Sequence, residues 1–370
     1  MEGLEDQLIQ ACLSGKIEQV KELLENNPQM DINYESNNDW LKRRPLAIAC
    51  LKGNIEIVKL LLNDKRIDVN KVTRNCCTPF YIACECGHTE IVKLFLELDK
   101  SVDINKPNEF GNTPLWIACR HNYITIVEIL LKDERIDVNQ SSNQFDETPF
   151  YIACCQGHVE VVKLLLNDQR VNINQPTRFG DTPLWIACQE GRTEVVKLLL
   201  NDERVDVNQT EKDGQTPFLV ACQEDRIEIV KLLLDDKRVN INQETIDGET
   251  PLHFVCFNTN IKIVQFLLAS QKDVDFQTKN KNGKTAMDIA KEKEKELRIT
   301  CEDLRTQDDR LWQVLDFDKK RLTQRNIVEL LESFEKNPNE TRIRLRIQLG
   351  FAGKYFIFFF FFFFNFISNN

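Results

Sequence analysis

The chain is expected to fold as an all-α solenoid of stacked helix–turn–helix units joined by short β-hairpin connections. Three observations point there. A segment of the form Thr-Pro-(Leu/Phe)-aromatic-Ile-Ala-Cys returns in varied form, and its prolines, Pro45, Pro79, Pro114, Pro149, Pro183, Pro217 and Pro251, are separated by 34, 35, 35, 34, 34 and 34 residues. Such a period means that one small supersecondary unit is stacked many times. Second, Cys50, Cys84, Cys119, Cys154, Cys188, Cys222 and Cys256 each lie five residues after a repeat proline, and Cys12 holds the matching place in a first, degenerate unit. Third, every unit carries a second run, such as Val195-Val196 with Leu198-Leu199-Leu200, that is too apolar to remain uncovered by a neighbour.

The unit that starts at Gly180 justifies each element in turn. Thr182 is placed to cap a helix through its hydroxyl, and Pro183 suits the first helical position, where its missing N–H costs nothing. Leu184, Ala187 and Cys188 share one face, and the two small residues allow close approach of the next helix. Gly191 ends the helix in a left-handed conformation, and Thr193 with Glu194 opens a second one. Val205 and Val207 then alternate with polar residues, which predicts a short extended stretch leading to a hairpin turn at Asp213-Gly214.

This pattern resembles the ankyrin repeat, through Thr113-Pro114-Leu115-Trp116, Gly157-His158 and Asp206-Val207-Asn208 at the family's offsets. The resemblance covers Leu8 to Glu292, about nine units with the first and last degraded, and the array is expected over residues 7–292. Two departures stand out. The family's histidine survives only as His253, replaced elsewhere by Ala47, Tyr81, Trp116, Tyr151, Trp185 and Leu219. The family's Gly-Ala before Asp-Val-Asn gives way to glycine-free segments such as Asp133-Glu134-Arg135-Ile136, so that corner is expected to differ in shape.

The resemblance implies an array without a catalytic centre that binds proteins on a concave face made by hairpin tips and first helices. Phe110, Phe145 and Phe179 occupy one tip offset, four residues before the repeat proline, in three consecutive units. Neighbouring helices pack about 10 Å apart, which predicts a ladder of rings suited to anchor a partner. The competing reading packs each ring on the adjacent hairpin. Arg120 and His121, Gln189 and Glu190, and Gln223 and Glu224, at first-helix ends, complete the candidate partner-binding set. The fixed register of Trp116, Trp185, Tyr81 and Tyr151 is read as packing between units.

Charge and cysteine usage narrow the function classes. The chain has 48 basic and 58 acidic residues, and the excess acid falls in the array: about −14 through Thr278 and about +4 beyond it. An acidic array repels phosphate backbones, so nucleic acid is not expected as a partner, whereas a basic segment of a partner protein is. No secretory signal opens the chain and the cysteines follow the repeat register, which predicts reduced thiols in the cytoplasm or nucleus. Cys84-Glu85-Cys86-Gly87-His88 with Cys76 and Cys77 has the look of a zinc site, but Cys84 and His88 are register positions, so no metal is expected there. Cys86 and Cys155 are expected to be the easily oxidised surface thiols. No phosphate-binding glycine loop, metalloprotease helix or nucleophile elbow occurs, so neither an enzyme nor a cofactor is expected.

Residues 293–349 are expected to form a linker and a helical segment, either a small docking module or a cap on the last unit. Lys291 to Glu296 suits a solvated helix end or linker. Ile327, Leu330, Leu331 and Phe334 predict an amphipathic helix over 324–336, broken at Asn337-Pro338-Asn339. Arg342, Arg344 and Arg346 alternate with Ile343, Leu345 and Ile347, a period that suits a strand or, equally, a short basic helix. In the Phe-rich tail, 350–370, the apolar run is about 10 residues against the roughly 20 a membrane span needs, so a membrane anchor is not favoured. The tail reads instead as translated intron after Ala352, since Gly353-Lys354-Tyr355 can be encoded by a splice-donor sequence and Phe codons are T-rich. The leading functional reading is a non-enzymatic interaction scaffold or adaptor. The alternative is a targeting or regulatory arm of a larger, membrane-attached assembly whose effector role lies in the C-terminal segment.

Overall fold

The computed structural model describes residues 3–35, 42–98, 101–305 and 311–351; the Phe-rich tail from 352 onward, with both readings of it, lies outside the described residues. Every regular element among them is an α-helix. The chain divides into two compact units, Met1–Pro183 and Leu184–Asn370. The first holds helix pairs α1 (Leu4–Ser14) and α2 (Ile17–Asn26), α3 (Pro45–Lys52) and α4 (Ile55–Leu62), α5 (Pro79–Glu85) and α6 (Thr89–Leu98), α7 (Pro114–Arg120) and α8 (Ile124–Leu131), α9 (Pro149–Gln156) and α10 (Val159–Asn167). The second begins with α11 (Pro183–Gln189) and α12 (Thr193–Leu200), continues through α13 (Pro217–Gln223), α14 (Ile227–Asp235), α15 (Pro251–Phe257) and α16 (Ile261–Ala269), and ends in three longer C-terminal helices.

The expected caps are in place. The hydroxyls of Thr78, Thr113, Thr148 and Thr216 accept the N–H of Tyr81, Trp116, Tyr151 and Leu219 at 3.0–3.1 Å, each ahead of a first-position proline. The repeat cysteines are buried, and desolvation pushes the Cys12 and Cys256 thiols up to about 12, so they pack as small neutral hydrophobes. Trp116 and Tyr81 are also core residues, 2% and 1% exposed. His253 alone makes the histidine version of the cap: its Nδ1 accepts from the Thr250 N–H at 3.1 Å while Nε2 lies 3.2 Å from the Lys284 carbonyl.

The glycine-free corner is a clip that composition did not reveal. In each of Asp64/Arg66, Asp133/Arg135, Asp168/Arg170, Asp202/Arg204 and Asp236/Arg238 the carboxylate grips the guanidinium two residues on at 2.6–2.7 Å. Several of these guanidinia then reach back to the open end of the preceding second helix. Arg66 donates to the carbonyls of Leu24 and Asn27, Arg170 to Leu131 and Arg238 to Leu200. A cation placed there satisfies orphan carbonyls and suits the negative end of the helix dipole.

Each Asp holds its charge with Arg hydrogen bonding, so the carboxyls of Asp133 and Asp202 lie below the usual range. A depressed folded pKa contributes stability above the unfolded value, near pH 4, which is lost as pH falls through the folded value. Replacing Arg135 and Arg204 by Met is therefore expected to flatten the acid limb of stability between about pH 5 and pH 2. Urea unfolding at a series of pH values measures it; an unchanged acid limb would remove the clip from the account.

Beside the clips runs an asparagine ladder. Asn139 Nδ2 donates to the Arg170 carbonyl at 2.8 Å while its Oδ1 accepts the Asn172 N–H at 2.7 Å. Asn33, Asn70, Asn105, Asn208 and Asn242 do the same to the next unit in turn. One amide thus satisfies a backbone donor and acceptor at the edge of its neighbour, which fixes the register between units.

The connections are hairpin-like turns, and no strand occurs among the described residues. Each tip closes on itself, as in Asn108 N–H to Asn112 carbonyl at 3.0 Å, and single bonds join consecutive tips, too few for a ladder. Val205 and Val207 lie in turns and bury their side chains at 4% and 2% exposure.

The last helices are α17 (Ala286–Arg305), α18 (Leu311–Lys336) and α19 (Pro338–Gln348). Of the two forms open for the arginine-rich segment, the helix is the one present, because Arg342 and Arg346, four apart, reach the Leu268 and Ala269 carbonyls at the end of α16. They continue on the last unit the cation-on-carbonyl contact that the clips make earlier. Ile327, Leu331 and Phe334 form the buried face of α18, and Phe334 stacks on Phe276 at 5.2 Å. Gln324, wholly buried, donates to the carbonyls of Cys256 and Ala290 at 2.8 and 3.1 Å.

Candidate functional site

Two surfaces, one in each unit, carry the candidate residues. In the first unit the tip aromatics are half out of the protein: Phe110, Phe145 and Phe179 are 53%, 39% and 49% exposed. The backbone pins them in sequence, since the Asn143 N–H donates to the Phe110 carbonyl and the Arg178 N–H to the Phe145 carbonyl, each at 3.0 Å. The rings of Phe145 and Phe179 meet at 6.0 Å, tilted by 36°. Phe145 and Phe179 lean on each other, and all three rings keep a large part of their surface exposed.

What lets the tips approach is the residue after Phe110. Gly111 sits at φ +82°, and a Cβ there would lie 2.2 Å from the Asn143 nitrogen. Not every tip uses glycine. Cys76 and Asp146 take left-handed backbone conformations at φ 60° and 59°, a geometry costly for a side chain.

At the first-helix end of the same unit, the Arg120 guanidinium lies 5.4 Å from the Trp116 ring centre. His121 packs on Tyr123 at 5.6 Å, and burial, then Arg120 and His158, hold its imidazole below the usual histidine range. It is therefore neutral at pH 7 and available as a hydrogen-bonding group rather than a charge. Glu147 faces this group. Its carboxyl is raised by burial, an effect that Arg120 opposes. Trp116 Nε1 is buried with no partner among the described residues.

The remaining candidates belong to the second unit. Gln189 uses its backbone carbonyl to accept from Arg226 at 2.8 and 3.0 Å, and its side chain is half-buried. Glu190 is exposed, 3.8 Å from Arg192. Gln223 and Glu224 are exposed beside Asp225, whose carboxylate accepts from Asn260 Nδ2 at 2.6 Å.

The two surfaces differ in charge. On second helices and corners the charges cancel in pairs, as in Glu160–Lys163 and Glu194–Lys197. Over the matching tips and first-helix ends between Leu51 and Thr182 in the first unit, Glu85, Glu109, Asp146, Glu147 and Asp181 stand against Lys52, Lys71, Arg74, Lys106, Arg120 and Arg178, which is near balance. Over 189–192, 209–216, 223–226 and 243–250 the eight carboxylates Glu190, Glu211, Asp213, Glu224, Asp225, Glu244, Asp247 and Glu249 stand against Arg192, Lys212 and Arg226, with Lys281 of the following tip paired to Asp247 at 3.2 Å. The first surface is aromatic and close to neutral; the second is acidic.

Sequence reasoning missed some exposed groups and misjudged one thiol. Ile246, next to the acidic tip of its unit, is 57% exposed, and Phe257 is 55% exposed under the Lys293 ammonium at 4.8 Å. The expectation that Cys86 is an easily oxidised thiol is corrected. It is half-buried, and desolvation together with Glu85 pushes its thiol up, which disfavours the reactive thiolate. The exposed thiol is Cys76. No cluster of potential metal ligands is present among the described residues, and none of their helices is long and apolar enough to cross a membrane.

Comparison with known proteins agrees with this architecture. The family described as ankyrin repeats (3 copies) matches residues 8–108, 67–142, 98–176, 150–245 and 237–299. Over 94 residues, 25% of the chain, it is 34% identical to the 26S proteasome non-ATPase regulatory subunit 10 of Dictyostelium discoideum. The match spans 38% of that relative's length.

Proposed function

The chain belongs to the ankyrin-repeat family, whose repeats generally mediate protein–protein interaction, and from that premise we propose that it is a non-enzymatic scaffold or adaptor working through its hairpin tips and first-helix ends. The observation that carries this reading is the row of half-exposed rings at Phe110, Phe145 and Phe179, rigidly spaced by tip-to-tip backbone bonds. Rigid, partly exposed aromatics supply contact area at low entropic cost. Arg120 and His121 stand at the helix ends of the same unit. The acidic tips of the second unit, with Glu190 and Glu224, favour a partner segment rich in Lys and Arg. Gln189 and Gln223 offer neutral hydrogen bonds next to them.

The alternative, an effector role in the C-terminal segment, has less support. Gln324, Arg342 and Arg346 spend their donors on carbonyls of α15, α16 and α17, which is the work of a cap. The decisive experiment replaces Phe110, Phe145 and Phe179 together by Ser and captures partners from a cytoplasmic extract. Partner capture is expected to vanish, while stability falls by roughly 1 kcal/mol per half-buried ring. Full capture by the triple variant would overturn the role given to the rings. Salt titration of the retained complex tests the basic segment: an association unaffected between about 50 and 500 mM salt would exclude it.

A further inference from the structure

On the second unit, away from the tips, a cleft of about 460 Å³ opens between the ends of α14 and α16 and the start of the segment after α19. Its walls combine cations with rings. The Lys231 ammonium lies 4.8 Å from the Phe266 ring centre, Phe266 meets Phe351 edge-on at 5.9 Å, and the Arg346 guanidinium lies 5.7 Å from the Phe351 ring centre. Lys237 and Lys272 complete the rim, with Asp235 as the one carboxylate lining it.

The charge pattern departs here from the rule that holds along the repeats. Each clip arginine has its own Asp two residues earlier, at Asp64, Asp133, Asp168, Asp202 and Asp236. In the last corner Ser270 stands where that Asp would be, and the clip cation is Lys272, donating to the carbonyls of Asp236 and Val239 at 2.8 and 2.6 Å. Lys231 is paired with Glu228 at 2.8 Å, whereas neither Lys272, nor Lys237, nor Arg346 has a carboxylate at ion-pair distance among the described residues. Part of this positive charge answers the C-terminal ends of α14 and α16, each equivalent to about half a negative charge. The carbonyls concerned are already hydrogen-bonded by Lys272 and Arg346, so the exposed ammonium of Lys237 is left over.

We infer that this cleft is a second docking site, distinct from the tip surface, for an acidic segment of a partner protein that sets an apolar side chain on Phe266 and Phe351 and its carboxylates on Lys237 and Arg346. Charge complementarity selects the acid, and the ring pair selects a peptide over a free anion, because the apolar floor rewards a side chain that inorganic anions lack. Burial holds Lys272 below the usual lysine range, and a nearby carboxylate favours its charged form. The molecule as a whole, at net charge −10, repels an acidic peptide, so attraction to this one locality cannot come from overall charge.

The test uses the full chain and a fluorescent peptide alternating glutamate with leucine, read by anisotropy, with a lysine–leucine peptide as the reversed control. Saturable binding of the acidic peptide is expected, weakened about tenfold or more by Lys237→Glu, which is exposed, and by Phe351→Ala, and unaffected by the triple Phe→Ser change at the tips. No saturation at about millimolar peptide, or equal affinity in Lys237→Glu, would overturn the site. Binding to phosphatidylserine-containing vesicles without binding to the peptide would reassign it to an anionic lipid surface and overturn the peptide reading.

Discussion

Replacing Gly111 by alanine is expected to destabilise the first unit by about 2–4 kcal/mol, more than a surface glycine normally could. The backbone there is left-handed at φ +82°, which alone costs an alanine about 1–2 kcal/mol. The new Cβ would also fall 2.2 Å from the Asn143 nitrogen and 2.5 Å from its Cγ, so the neighbouring tip must withdraw. Forced displacement of packed atoms adds roughly 1–3 kcal/mol, and the Asn143 N–H loses the Phe110 carbonyl it now reaches at 3.0 Å. Gly283 supplies the control. It is left-handed at φ +72° with nothing within 4 Å of a built Cβ, so its alanine variant should lose only the conformational part. Urea unfolding of both variants, with hydrogen exchange at Asn143, separates the two contributions; equal losses would mean that tip contact contributes nothing.

The second large effect is expected at Gln324. Changing it to alanine should weaken the docking of α18 by about 2–4 kcal/mol, through a lost hydrogen bond to the Cys256 carbonyl in a dry interface and the cavity left behind. Its second acceptor, the carbonyl of Ala290, lies inside α17 and keeps its helical partner, so most of the cost falls on the end of α15. Faster amide exchange along α18 at unchanged exchange in α13 and α14 would be the signature. Protection of α18 equal to that of the unaltered protein would show that Ile327, Leu331 and Phe334 hold the helix without the amide.

The architecture was legible because its determinants are local and periodic. Thr113-Pro114 announces a capped helix within two residues, and the register of Cys119 and Leu130 marks the face that must be covered. The tip position of Phe110 followed from the same counting. Long-range partnerships between polar groups were not legible. Arg170 in sequence is an ordinary surface cation; its partner, the Leu131 carbonyl, lies 39 residues back and leaves no trace in side-chain pattern. The alternation Arg342-Ile343-Arg344 fits two periods equally, and only the presence of open carbonyls at Leu268 and Ala269 selects the helix. The reactivity expected of Cys86 was misjudged for a related reason: its position at a helix end was legible, but its burial, which with Glu85 raises its thiol pKa, was not.

The asparagine rungs have a mechanical consequence. Within each unit every rung joins nearest neighbours only, by one donor and one acceptor from a single rigid amide, as Asn105 does with the Arg135 carbonyl and the Asp137 N–H. Such fasteners act in series: tension along a row loads each one alike, and none can borrow strength from a distant partner. A row built this way yields by peeling from an end rather than by snapping in the middle. In the second unit the end of α16 is held by Arg342 and Arg346.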